Sequence, residues 1–272
     1  MNKSLMIFLI LINFCKKGNN KIKFLFYQNV KMDNMFKDIS ALKVVEMISE
    51  TNLKIFSMKN AFDNCQNLNK FNITGFDITE IKSVHKVFYK TNSLEDINFE
   101  IFEKNNIEDM SFFLANSKVC NIIDLSKIET DKVKNMSHML LGCKSLKTIN
   151  LSEFETSSVN DMSSMFENCN FSDKLNLSNF NTNNVKTMRS MFKNCSNLKN
   201  ISLENLDTSN VEDFSSMFQG CQLLNELNLS NFNTEKVKDM SNMFDGCFSM
   251  KNLSISNFHT KSVKNMSYMF SS

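Results

Sequence analysis

Apolar and polar positions recur along this chain with a single spacing. Cys143, Cys169, Cys195, Cys221 and Cys247 lie 26 residues apart, and stepping back leads through Ser117 and Thr91 to Cys65. A second column is β-branched throughout: Ile55, Ile81, Ile107, Val133, Val159, Val185, Val211, Val237 and Val263. Three residues after each stands Met58, Val84, Met110, Met136, Met162, Met188, Phe214, Met240 or Met266. Seven residues after each stands a Phe or Leu, as at Phe166, Phe192 and Phe218. The register holds without insertion or deletion from about residue 51 to the end. A repeat of 20–50 residues means stacked supersecondary units that cannot bury their apolar faces alone.

The copy at 227–247 has two halves. Leu227 and Leu229 alternate with polar residues, the period of a strand. Val237, Met240, Met243, Phe244 and Cys247 recur at three or four residues, the period of a helix face. Thr234, like Thr130, Thr156, Thr182, Thr208 and Thr260, precedes that run as an N-cap would. Phe154, Phe180, Phe232 and Phe258 fall in the turn and are expected inside. The pattern therefore predicts an α/β solenoid of about nine stacked strand-turn-helix coils with a parallel sheet on one face. Its strands would pair in parallel on one face, about 4.8 Å apart, through right-handed crossovers.

The core columns include Val159, Met162, Met165, Phe166, Cys169, Val185, Met188, Met191, Phe192 and Cys195. A charge at Met191 or Phe192 is expected to unfold the central coils, whereas Asn179→Lys is expected to be tolerated on the surface. Between the inward leucines lie two polar ladders on the exposed strand face. Asn150, Asn176, Ser202 and Asn228 form one, and Ser152, Ser178, Glu204 and Ser230 the other. They are the candidate binding face, either a recognition surface or a solvated wall. Without aromatic anchors, weak multivalent attachment suits it better than one tight partner.

The unit L-x-L-S-x-F-x-T-x-x-V-x-x-M-x-x-M-F-x-x-C-x-x-L resembles the BspA-like surface-protein repeat, a leucine-rich type. Residues 149–172, 175–198, 201–224, 227–250 and 253–270 carry it closely, and about 51–148 more loosely. The resemblance implies a leucine-rich-repeat-like solenoid fold and a non-enzymatic, surface-displayed or lipoprotein role in adhesion or protein–protein interaction. The implied partners are host or neighbouring-cell surface proteins or matrix. A structural spacer or scaffold without a specific ligand is the alternative.

The ends read differently. Residues 5–15 are apolar behind Lys3, a signal-like shape too short to span a bilayer as an ordinary helix. Cys15 stands where a lipid acceptor would, but Ile12, Asn13 and Phe14 replace the small residues such a site needs. An uncleaved hydrophobic head, or a start upstream of Met32, is the other reading. Secretion or surface display follows from the first. Residues 16–40 are expected as a polar tether, and 41–272 as the solenoid. Leu42, Val45 and Ile48 predict a capping helix over 41–56. No polar closing segment precedes Ser272, so a C-terminal cap is not expected within the sequence.

Composition removes several functions. With 31 basic against 29 acidic residues the net charge is +2, and Arg189 is the single arginine. Neither value makes an electrostatic case for nucleic acid, and a membrane contact would run only through the N-terminal segment. Five glycines and no phosphate-loop motif argue against nucleotide cofactors. The cysteine column lies on the apolar face without any C-x-x-C, so its thiols read as small buried hydrophobes. The spacing also allows disulfides between neighbouring coils for one or two pairs, where Cα distances and Cβ directions suit. His85, His138 and His259 fall in different columns, and solvent exposure is expected for each. The methionine stripe reads as core. No metal, cofactor or catalytic residue is expected.

Overall fold

The computed structural model describes residues 21–117, 122–171 and 175–271. It is a β-solenoid with two hydrogen-bonded walls around one apolar core. The parallel strands are β1 (Lys21–Leu25), β2 (Val30–Lys31), β3 (Val44–Ser57), β4 (Lys70–Asp77), β5 (Asp96–Ile97), β6 (Ile122–Asp124), β7 (Thr148–Asn150), β8 (Glu226–Asn228) and β9 (Asn252–Ser254); they make one wall, except that β2 pairs the far end of β3 at Ile55 and Ser57, one repeat before the Ser83 rung of the other wall. The first five form one sheet in the order β1-β3-β4-β5, with β2 also on β3, while β6 pairs β7 and β8 pairs β9. Ile123 faces Ile149 and Leu227 faces Leu253 across these pairs. Between β7 and β8, residues 175–177 and 201–203 are not in strands, so this wall is interrupted.

The opposite wall is continuous, and it runs through the segments expected as helices. Parallel bridges join Ser83, Asp109, Asn135, Asp161, Thr187, Asp213, Asp239 and Asn265 in one column of eight rungs. Backbone amides after each rung alternate between two kinds of partner. Ser190 and Phe192 donate to Ser215 and Met217 of the next coil at 2.9 Å, while Met191 and Lys193 close tight turns onto Met188 and Ser190 at 3.1 and 3.0 Å. Every other side-chain pair then points inward: Met188, Met191, Phe192 and Cys195 are buried.

The strand-turn-helix expectation is corrected accordingly. Among the described residues the only helical element is a single 3-10 turn, Glu100–Phe102. Stacked helices need 8–10 Å between axes, whereas paired strands sit about 4.8 Å apart. A coil bridged to its neighbours on both walls has no room for a helix on either. The backbone reaches this geometry through two left-handed positions per coil, four residues apart, such as Ser190 (φ 55°) and Asn194 (φ 57°). Asn tolerates that region better than most residues, and Gly does so without steric cost. At Gly220 (φ 72°) a Cβ would also sit 2.4 Å from Asn194 Oδ1 of the preceding coil.

Two expectations near the N-terminus are corrected as well. The segment expected as a capping helix over 41–56 is the strand β3. Its Val45 and Met47 are buried, but Ile48 is 44% exposed, which alternation permits and a Leu42–Val45–Ile48 helix face does not. The expected tether over 16–40 already belongs to the solenoid from residue 21: β1 and β2 pair with β3, and Met32 and Phe36 are buried. Residues 1–20, with the signal-like segment and Cys15, lie outside the described residues.

Candidate interaction surface

The core columns fill the interior. Val159, Met162, Met165, Phe166, Cys169, Val185, Met188, Met191, Phe192 and Cys195 are all 0 or 1% exposed. Phe166, Phe192, Phe218 and Phe244 stack along the axis with ring centroids 5.5–5.9 Å apart.

The cysteine column is a ladder of thiol hydrogen bonds. Cys169, Cys195 and Cys221 each donate Sγ–H to a carbonyl of the preceding coil, on Leu140, Phe166 and Phe192, at 3.1 Å. Burial pushes the Cys143 and Cys195 thiols up to about 12, and those of Cys169 and Cys221 well above the ordinary range. Such thiols are neither nucleophiles nor ready metal ligands. The six described cysteines are free. Where the column departs from Cys, a hydroxyl makes the same bond: Ser117 Oγ donates to the Phe88 carbonyl at 2.5 Å.

The threonine column is corrected from N-cap to inter-coil tie. Thr156 Oγ1 donates to the Asn181 carbonyl and accepts the Asn181 amide, both at 2.8 Å. Thr130 and Thr208 make the same pair of bonds to Glu155 and Asn233. A second tie runs through Asn179, whose Nδ2 donates to the Leu151 and Ser152 carbonyls at 2.9 and 2.8 Å. Asn205 repeats it on Leu177 and Ser178. Asn179 is therefore a structural position, not the tolerant surface site expected from sequence. Nothing in its own spacing separated it from its solvated neighbours; the signal was its recurrence as Asn205, Asn231 and Asn257.

The candidate face on the strand wall is solvent-facing: Asn150, Ser152, Asn176, Ser178, Ser202, Glu204 and Asn228 are exposed and Ser230 is half-buried. Its asparagines are also local locks. The Oδ1 atoms of Asn150, Asn176 and Asn228 accept the amides of Ser152, Ser178 and Ser230 at 3.0–3.1 Å, which closes an Asx turn at each rung. Where the strands lapse, a shallow groove of about 310 Å³ is lined by Ser202, Glu204, Glu226 and Asn228.

The cluster of His85, Ser111 and Asp109 holds the residue types of acyl transfer but not their arrangement. Ser111 Oγ lies 2.7 Å from His85 Nδ1 and donates to Asp109 Oδ1 at 2.6 Å. The serine sits between the histidine and the carboxylate, and it is 4% exposed. A nucleophile would need the histidine in the middle and an open hydroxyl. His85 and His138 are half-buried rather than solvated, and burial holds both below the usual imidazole range; only His259 is exposed. Among the described residues no group of three His, Cys, Asp or Glu is placed to hold a metal ion.

The chain is similar to two solved structures. One is a leucine-rich repeat protein from Bacteroides ovatus, 12% identical, with a TM-score of 0.34 over 91% of this chain and 82% of that one. The other is a leucine rich cell surface protein from Faecalibacterium prausnitzii, 14% identical, with a TM-score of 0.38 over 89% of each chain. No curated protein matches. A family model described as "Mycoplasma protein of unknown function, DUF285" matches residues 11–123, 109–225 and 170–272. The chain belongs to the DUF285 family.

Proposed function

We propose that this chain is a non-enzymatic repeat module of the BspA-like leucine-rich type, built on a 26-residue unit and displayed at a cell surface, where it mediates adhesion or protein–protein interaction. The observation that carries this reading is the rigid, exposed ladder Asn150, Asn176, Ser202 and Asn228 with its partners Ser152, Ser178, Glu204 and Ser230. Extended solenoid walls of this kind present many equivalent contacts to one partner. Host or neighbouring-cell surface proteins or matrix are the partners such a module would meet, and weak, multivalent attachment suits its polar chemistry.

Protease shaving of intact source cells tests the location. Loss of the chain with a cytosolic control untouched supports display; full protection until lysis removes the reading. Binding to host matrix that weakens in Asn176→Lys and Ser178→Lys supports recognition by the strand wall. The engagement of the Asn Oδ1 atoms in Asx turns favours a second reading, a spacer without a ligand. That reading expects Ser178→Lys to behave as the parent, and Asn176→Lys to loosen its Asx turn without changing attachment to matrix.

A further inference from the structure

The strand wall departs from its repeat where β3 meets β4. Their register shifts between Ile48 and Leu53, and the next coil carries the 3-10 turn Glu100–Phe102. Gly75 (φ 73°) is required at the shift, because a Cβ there would lie 1.9 Å from the Ser49 carbonyl oxygen. Irregularities of this kind gather at functional sites. Here they open a groove of about 470 Å³, lined by Phe76, Asp77, Asn98, Glu100, Ile101 and Glu103 among others. Phe76 and Ile101 are half-buried and give it apolar surface, and the Phe76 ring is braced edge-on against Phe26 at 5.6 Å. Lys104 stands on the same rim as the three carboxylates.

Carboxylates continue from that rim along one corner. Asp77, Glu103, Glu129 and Glu155 recur at 26 residues, one in each coil. Pairing sets neighbours of this kind about 4.8 Å apart, and like charges directly opposite one another are destabilising. The corner is not neutralised from within. Residues 70–80, 97–106, 123–132 and 149–158 together hold nine Asp and Glu against four Lys. Lys54 of the preceding coil reaches Asp77 and Glu80 at 3.8 and 3.1 Å, while Lys132 is held by Asn106 at 2.7 Å. Among the described residues no ion pair reaches Glu100, Glu103, Glu129 or Glu155.

We infer that this groove and its carboxylate corner dock an arginine-rich protein segment. The inference rests on the protein-interaction reading above and names the chemistry of the partner. Charge complementarity selects it, since complementary potentials set orientation and encounter rate. One arginine lays its apolar stem along Phe76 and Ile101 and sets its fork on Glu100 or Glu103. Further arginines meet Glu129 and Glu155 in the following coils, which relieves the like-charge column. The coil after them offers nothing equivalent: residues 175–184 contain no charged side chain.

The test uses the full chain with fluorescein-labelled oligo-arginine and oligo-glutamate, read by fluorescence anisotropy. Saturable binding of oligo-arginine is expected, and none of oligo-glutamate. Glu100 and Glu103 are exposed, so the double variant Glu100→Gln, Glu103→Gln keeps the fold; it should lower affinity about tenfold or more. Glu129→Gln should lower it about threefold. Glu235→Gln removes one exposed carboxylate several coils away and should leave affinity unchanged. Absence of oligo-arginine binding overturns the proposal. So does an equal loss in Glu129→Gln and Glu235→Gln, which would mean polycation contact with any carboxylate. If Asn176→Lys weakens attachment to matrix while the parent does not bind oligo-arginine, the docking groove fails and the interaction module stands.

Discussion

Thr156 Oγ1 donates to the Asn181 carbonyl and accepts the Asn181 amide, so one buried hydroxyl satisfies both backbone groups of a residue in the next coil. Asn181 lies at a corner, where neither wall's ladder reaches it. The Thr side chain does there what a strand partner does on the walls, and its methyl group packs into the core at 0% exposure.

Thr156→Val keeps the shape and removes the hydroxyl. It leaves the Asn181 amide and carbonyl without protein partners at a part-buried corner, for a combined loss of about 1–3 kcal/mol. The chemical-denaturation midpoint should fall clearly for Thr156→Val and much less for Thr156→Ser. A valine variant as stable as the parent would show that water replaces the tie.

Asn179→Asp removes the Nδ2 donor that bridges to the Leu151 and Ser152 carbonyls and brings a negative charge toward those oxygens. A loss of about 1–3 kcal/mol is expected from the unsatisfied carbonyl and the repulsion. The adjacent Ser178→Ala is the comparison and should unfold with the parent. Equal midpoints for the two would remove the bridge from the account of stability.

These ties explain which parts of the fold were legible. Burial was: the columns through Val185, Met188, Phe192 and Cys195 report inward positions whatever the backbone does. The secondary structure was not, because inward pairs recurring at three and four residues suit a helix face and a run of tight turns equally. Met188, Met191 and Phe192 have the same spacing in both. What separates the two lies in the polar columns. Asn168, Asn194, Gly220 and Gly246 recur where a left-handed residue is needed, and Asp161, Asp213 and Asp239 stand two residues before the amides that their Oδ1 atoms accept. Asn and Gly rank among the poorer helix formers, and Asp in this setting favours a turn. The candidate face was legible as exposed, but the partners of its Asn Oδ1 atoms were not, since an Asx turn depends on local backbone angles.

Ser190 tests the left-handed backbone directly. At φ 55° a β-branched side chain clashes with its own backbone, so Ser190→Val should cost about 1–2 kcal/mol or more. Ser190→Gly should be neutral or slightly stabilising, because glycine adopts this angle freely. Were the segment helical, the order would reverse, since Gly is the poorer helix residue. Thermal melting of the two variants decides between them.

Phe192 lies in the ring stack between Phe166 and Phe218 and is fully buried. Phe192→Ala should cost about 3–5 kcal/mol, and Phe192→Asp should prevent the central coils from folding by burying an unpaired charge. Circular dichroism of the purified chain reads both. Native-like signal and melting in the Asp variant would overturn the register of the whole array.

The thiol ladder predicts how stability responds to alkali. Burial raises the Cys195 thiol from 9.0 to about 12 in the folded chain, and Cys143 likewise. Above pH 9 the unfolded chain releases thiol protons that the folded chain keeps, so the unfolded state binds fewer protons and stability falls as pH rises. The thiol contribution is thus fully present below about pH 9 and is lost progressively toward about pH 12. The slope of the parent alone does not isolate the thiol's share. Cys195→Ser does. Serine makes the corresponding carbonyl bond at Ser117, so the variant keeps the hydrogen bond and removes one titrating group. Urea midpoints measured from pH 8 to pH 11 should fall less steeply in Cys195→Ser than in the parent, with the difference appearing only above about pH 9. Parallel slopes would mean that the thiol ionises equally in both states, which is incompatible with a sulfur buried against the Phe166 carbonyl.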